Sequence, residues 1–330
     1  MTVDLRTTVG SVALANPVMT ASGTAGHGAE LASYFDLSRL GAVVVKSLAA
    51  FAWPGNPAPR VAPVPAGMLN AVGLQGPGLA AWAAEELPAL ARSGAQVVVS
   101  VWGRTVEDYA EAGRIVAGLS AVEGGDSLVA VEVNVSCPNL EDRSRMFAHS
   151  PASTAAALAA VREGGVALPL WAKLSPNTGD LAEVAGAALE AGAEALTLVN
   201  TLLGYFVDVA SASGVLGTGG GGLSGPAVHP VALRAVRDCR LAFPSAGIVG
   251  VGGVADGAGA LRMLMAGADA VQVGTATLAD PRAPVKVLEG LEQRCASLGI
   301  GAVRDAVGAA LAHDGHARPA GGTDTKEETE

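Results

Sequence analysis

Short apolar runs rich in Val, Leu and Ile recur along the chain, and most lead through a polar or glycine-rich loop into a stretch of helical period. Eight such runs are present: Pro17–Ser22, Ala42–Ser47, Gln96–Trp102, Ala130–Ser136, Pro169–Ser175, Ala195–Thr201, Gly247–Gly253 and Ala270–Thr275. Between them lie alanine-rich helical patterns, clearest over Thr105–Val122, Pro151–Gly165, Asp180–Ala193, Pro226–Phe243 and Asp256–Ala268. Glu107 and Asp108 fall in a first turn, where acids favour the helix dipole, and Gly192 and Gly267 fall near helix ends. Strands alternating with helices imply βαβ units and a parallel sheet, and near-continuous apolar strands imply a sheet covered by helices. Eight units favour a closed (β/α)8 TIM barrel in the α/β class over an open sheet.

The rest of the pattern elaborates that barrel. Asp4–Leu14, turning near Gly10, reads as a hairpin beneath it. Two connections are long, Leu48–Ala95 and Leu202–Ala246, and connections of that length in a compact domain are usually lids or small subdomains. Residues 1–312 are expected to form a single domain, and the Gly-, Pro- and charge-rich segment 313–330 a disordered tail.

Composition narrows the function classes. Half the residues are apolar and 16% are charged, which excludes a disordered chain. No apolar run reaches the roughly 18 residues of a membrane span, and no secretory leader pattern opens the chain. Cys137, Cys239 and Cys295 lie far apart with no C-x-x-C, so a zinc or iron–sulfur site within this chain is not expected, and the sparse count suits a reducing cytoplasm. A net charge of −10 argues against general nucleic-acid or anionic-membrane binding.

Candidate chemistry collects where the apolar runs end, as it does at the C-terminal face of a barrel. Loops explain the Ser, Thr and Gly found there, but not Lys46 and Lys173, two of only four lysines among 21 basic residues. A buried, unpaired ammonium is costly, so each is expected to face an anion. Glu132, on the same strand face as Asn134, is the structural partner that competes with a ligand. After runs seven and eight come G250-V-G-G-V-A-D-G and V273-G-T-A-T, loops whose backbone N–H groups suit a phosphate. Gly250-x-Gly252-x-x-Ala255 also fits a loose dinucleotide fingerprint, but six βα units precede it and no ribose-binding acid ends the next run. Gly217-x-Gly219-x-x-Gly222 neither follows a strand nor opens a helix. In N134-V-S-C-P-N139, Pro138 breaks the ladder and sets Cys137 at the start of a loop at the barrel mouth. Read alone, Cys137 fits a buried small hydrophobe as well as a reactive thiol. With Asn134 and Asn139 beside it, and Asn70 and Asn200 on other loops, the mouth suits a ligand with several ring carbonyl and N–H edges.

Taken in order, ASG (21–23), VVVKS (43–47), NAVGLQ (70–75), VNVSCPN (133–139), AKLSPN (172–177), VNTLLG (199–204), GGLSGPA (221–227), GVGGV (250–254) and VGTA (273–276) resemble dihydroorotate dehydrogenase over most of residues 8–290. The cysteine in SCPN resembles class 1. The NTLLG and GGLSGPA segments resemble the subclass whose catalytic subunit pairs with a separate electron-transfer subunit. The membrane extension of class 2 is expected to be absent, because the first strand begins almost at Met1.

The resemblance implies FMN, with Gly252, Gly253, Gly274 and Thr275 at its phosphate and Lys173 at the ring's N1/O2 edge. It implies Ala21, Ser22, Gly23, Ser47, Asn134, Val199 and Gly225 lining the cofactor, and Lys46 reaching both flavin and substrate carboxylate. Asn70, Asn134, Asn139, Asn200 and Thr201 would read the pyrimidine, with the backbone at Val72, Gly73 and Leu74. Cys137 would take the C5 proton of dihydroorotate while the C6 hydride goes to flavin N5. A free thiol of pKa ~8.5 is mostly protonated at neutral pH, so flavin reduction is expected to quicken with pH. An FAD/iron–sulfur partner subunit and a homodimeric core are implied as well. The chain departs from the family pattern at Ala25, His27, Gly76, Ser100, Trp102 and 140–148, including Arg143 and Arg145, which could close over an anion. A related flavin oxidoreductase acting on another small cyclic substrate, a flavin-free phosphate-binding isomerase or lyase, and a noncatalytic flavin-binding subunit are the competing readings.

Overall fold

The computed structural model describes residues 2–136, 138–139, 145–313 and 315, with backbone alone at 138, 139 and 145. The chain opens on an antiparallel hairpin, β1 (Thr7–Val9) and β2 (Val12–Leu14), turned at Gly10 with φ 58°. Next come β3 (Val18–Thr20) and β4 (Val43–Val44). The first long connection carries β5 (Val61–Val64), β6 (Gly67–Asn70), α1 (Leu79–Glu85) and α2 (Leu87–Arg92). β7 (Val97–Val101) leads to α3 (Val106–Gly118). β8 (Leu128–Asn134) leads through the short ladder β9 (Pro138–Asn139) and β10 (Arg145–Met146) to α4 (Pro151–Glu163). β11 (Leu170–Lys173) precedes α5 (Leu181–Glu190). β12 (Ala195–Leu198) opens the second long connection, with β13 (Leu202–Tyr205), β14 (Val207–Asp208), β15 (Ser213–Gly214) and β16 (Gly220–Ser224) before α6 (His229–Ala242). β17 (Gly247–Val251) and α7 (Gly257–Ala266), then β18 (Ala270–Val273), α8 (Thr275–Ala279), α9 (Ala283–Ser297) and α10 (Ala309–His313) finish the chain.

Eight strands run parallel in the order β3-β18-β17-β12-β11-β8-β7-β4. A parallel bridge from Met19 to Ala42 joins the outermost two, so the sheet closes into a (β/α)8 barrel. Each of the eight apolar runs supplies one strand. Helix starts obey their caps: Thr105 and Asp108 form a reciprocal capping box on α3, and Ser150, Asp180 and Asp256 cap α4, α5 and α7.

The lumen is layered by the two-residue period of the strands. Met19, Val44, Val98, Ala130, Trp171, Ala195, Val249 and Ala270 form one buried apolar cluster with Val9, Val12 and Leu14 of the hairpin, which plugs the barrel from below. Two residues further along each strand stand Ala21, Lys46, Ser100, Glu132, Lys173, Thr197, Val251 and Gln272. The middle layer is therefore polar, and it forms the floor beneath the strand ends.

The two long connections do not act separately. They join in one antiparallel sheet of order β13-β16-β6-β5 over the barrel mouth, pairing Asn70 with Gly222. Glycine is needed at 222, since a Cβ there would sit 2.1 Å from Thr201 Oγ1.

Candidate active site

A cavity of about 1380 Å³ opens at the C-terminal ends of the strands. It exceeds the roughly 300–1,000 Å³ of a pocket for one drug-sized ligand, so it has room for a cofactor and a substrate together. Its wall includes Ala21, Ser22, Gly23, Lys46, Ser47, Asn134, Lys173 and Val199. The same wall takes in Asn70, Val72, Gly73, Leu74, Asn200 and Thr201, together with Gly225, Gly252, Gly253, Gly274 and Thr275. Every site residue expected from sequence lies here except Cys137 and Asn139. Cys137 and Arg143 lie outside the described residues, as does the Asn139 side chain. Ser136, on the cavity wall just before Cys137, has a buried hydroxyl without a partner among the described residues.

The floor is a connected polar network. Ser22 and Ser47 hydroxyls are 3.0 Å apart, and Ser47 and Ser100 hydroxyls 2.9 Å. Asn134 Nδ2 donates to Ser47 Oγ at 3.1 Å, and Asn200 Nδ2 to Asn134 Oδ1 at 3.4 Å. Glu132 is fully buried and accepts from Lys173 Nζ at 3.2 Å and, across the lumen, from Gln272 Nε2 at 2.7 Å. The sequence reading set Glu132 against a ligand as the partner of the lysines. For Lys173 the ion pair with Glu132 is present, because β8 and β11 are adjacent and pair Glu132 with Trp171, two residues before Lys173.

Lys46 has no carboxylate partner among the described residues. Burial, and then repulsion from Lys173, push its ammonium down to about 8. Burial and the Lys46 charge also push His27 below its usual value. Two departures from the family pattern meet here, since a Cβ on Gly76 would lie 3.3 Å from His27 Nε2. Trp102 packs edge-on against Phe51 and Trp53, and the Arg104 guanidinium lies 4.6 Å over the Trp53 ring at the cavity wall.

The wall at the glycine loops is shaped by backbone. Gly252 and Gly253 take φ 133° and 67°, and a Cβ on Gly253 would fall 2.7 Å from His229 Cβ and 2.9 Å from the Gly225 carbonyl. The Gly252 carbonyl lies 2.8 Å from His229 Nδ1. Thr275 Oγ1 donates to Ser224 Oγ at 2.8 Å, tying the loop after β18 to the insertion sheet. Two contributors went unread in the sequence. Asn177 holds the Thr201 carbonyl and the Leu203 N–H, and Gln272 sits inside an apolar run. The signal for Gln272 is its two-residue offset from Ala270; Asn177 carries no such signal.

The family model for dihydroorotate dehydrogenase matches residues 4–295. The chain belongs to this family. Relatives named dihydroorotate dehydrogenase B (NAD(+)), catalytic subunit, include that of Desulforudis audaxviator, 46% identical over 94% of this chain and 98% of the relative. Those of Pelobacter propionicus and Geotalea uraniireducens are 44% and 42% identical, each over 93% of this chain and 98% of theirs. No described helix is long and apolar enough to cross a membrane, and no described cluster of His, Cys, Asp and Glu could hold a metal ion.

The residues present fit FMN. Two glycine loops and two ammonium groups line one cavity, and one of those ammonium groups lacks a carboxylate partner among the described residues.

Proposed function

We propose that this dehydrogenase is an FMN-dependent catalytic subunit that oxidises dihydroorotate to orotate in pyrimidine biosynthesis. The observation that carries the reading is Lys46: a half-buried ammonium without a carboxylate partner among the described residues, in the cavity that also takes in both glycine loops. Gly252, Gly253, Gly274 and Thr275 would hold the phosphate, and Ala21, Ser22, Gly23, Ser47, Val199 and Gly225 would line the cofactor. Lys173 would stand beside the ring and favour its reduced, anionic form. Lys46 takes the substrate carboxylate, while Asn70, Asn134, Asn139, Asn200 and Thr201, with the backbone of Val72, Gly73 and Leu74, hold the pyrimidine edges. Bound FMN supplies the acceptor for the hydride that leaves C6. Cys137 takes the C5 proton as general base, so the sulfur must be thiolate before it acts, and the rate rises with pH until it is.

A second subunit, carrying FAD and an iron–sulfur cluster, would take the electrons on; the relatives' name, catalytic subunit, supports a partner subunit. Residues 1–312 act as one domain in a homodimeric core, in the cytoplasm. Anaerobic addition of dihydroorotate to the FMN-loaded chain tests the proposal. Rapid bleaching of the flavin is expected, and a colour that persists would overturn it.

A further inference from the structure

The mechanism above leaves Glu132 without a task, although it is the most deeply buried carboxylate near the site. Its side chain has no exposure, and that of Lys173 only 6%. An isolated carboxylate in such a place is costly, and even a paired one is weak evidence for stability. Glu132 is held from three sides: Lys173 Nζ at 3.2 Å, Gln272 Nε2 at 2.7 Å and Ser100 Oγ at 3.4 Å. Ser100 in turn touches Ser47 on the cavity wall. Three strands, β7, β8 and β18, thus aim polar side chains at one point behind the lysine. Only Lys173 of this group reaches the cavity.

We propose that Glu132 is a positioning residue that fixes the Lys173 ammonium from behind and offsets its charge, thereby setting how strongly the site favours a reduced, anionic cofactor ring. This rests on the FMN reading of the same cavity. Accepting two electrons and one proton leaves the ring one unit more negative, and an adjacent ammonium favours that state. A carboxylate 3.2 Å behind the ammonium opposes it in a low-dielectric lumen. Lys46 contributes the remaining positive charge, so the floor carries two ammonium groups and one carboxylate. Glu132 keeps that sum from rising further.

Glu132→Gln removes the charge and keeps the shape. Its carbonyl still accepts from Lys173. Its new N–H2 finds Gln272 Oε1, which is buried and without a partner among the described residues, once the Gln272 amide turns over. The expected result is a rise in the midpoint potential of bound FMN of at least ~30 mV, a tenfold gain in the two-electron equilibrium constant. Glu132→Asp keeps the charge but withdraws it by one methylene, so a smaller rise is expected.

The experiment is a potentiometric titration of the FMN-loaded wild type and both variants with a chemical reductant and mediators. Dihydroorotate takes no part, so the outcome does not depend on the substrate assignment. Wild type that binds FMN but is not bleached by dihydroorotate would sink the substrate reading alone. Midpoints that coincide with wild type, with thermal stability and FMN retention lowered in both variants, would make Glu132 merely structural and overturn the inference. Should the Gln variant be recovered unfolded, the Asp variant decides by the same rise or its absence.

Discussion

Replacing Lys46 by Met separates the stability of the ligand-free fold from anion binding at the cavity. Burial and the neighbouring Lys173 lower its ammonium from 10.5 to about 8. At 1.36 kcal/mol per unit, keeping that charge in the ligand-free site costs about 3 kcal/mol. Lys46→Met removes the charge and keeps the stem. The FMN-free variant is therefore expected to be more stable than wild type at pH 7 by about 2–3 kcal/mol. For 330 residues, an unfolding entropy of about 2.1 cal/mol/K per residue turns that into roughly 3–5 °C of thermal shift.

The pH dependence carries the sign. The folded value lies below the unfolded one, so between about 8 and 10.5 the unfolded chain binds more protons. Wild-type stability therefore gains from this group as pH climbs through that window, and Lys46→Met lacks the gain. Binding runs the other way. An anion that restores the lost compensation recovers up to the same free energy, so orotate affinity of the FMN-loaded variant should fall about a hundredfold at pH 7. Thermal melts of the FMN-free proteins and a flavin-absorbance titration with orotate read both quantities. A variant that is less stable at pH 7, or that binds orotate as wild type does, would refute the reasoning.

Three further outcomes follow from other parts of the site. Cys137→Ala should slow anaerobic flavin reduction by dihydroorotate at least a hundredfold and abolish its rise with pH, while orotate binding stays within a few-fold; stopped-flow reduction that keeps most of its rate would remove Cys137 as base. Gly253→Val places a Cβ 2.7 Å from His229 Cβ at φ 67°, a conformation costing about 1–2 kcal/mol before the clash is counted. It should lose FMN at least tenfold more readily in equilibrium dialysis. Tyr109→Phe leaves the buried Asn134 carbonyl without its 2.8 Å hydroxyl donor, which should lower stability by about 1–2 kcal/mol in urea melts.

How much of this was legible in the sequence depends on which contacts are local. All eight barrel strands were, because strands buried on both faces read as unbroken apolar runs, and the hairpin turn showed itself at Gly10. The place of Lys46 and Lys173 on the cavity wall was legible for the same reason, since a polar residue directly after such a run stands toward the barrel mouth. The pairing of β16 with β6 was not. Gly220–Ser224 is glycine-rich and reads as a loose loop, and its pairing with β13 on one side and with β6, some 150 residues away, on the other makes it a strand. The choice between the two lysines takes the strand order as well. Period two puts Glu132 on the lumen face, and the (β/α)8 order of successive runs sets β11, not β4, beside β8. Once the order β8-β11 is known, Lys173 must take the carboxylate, and Lys46, with β7 between its strand and β8, is left to meet a charge that comes from outside the described residues. The asymmetry between two lysines that look alike in sequence is thus a consequence of strand order: one is paired with Glu132 inside the barrel, and the other has no carboxylate partner among the described residues.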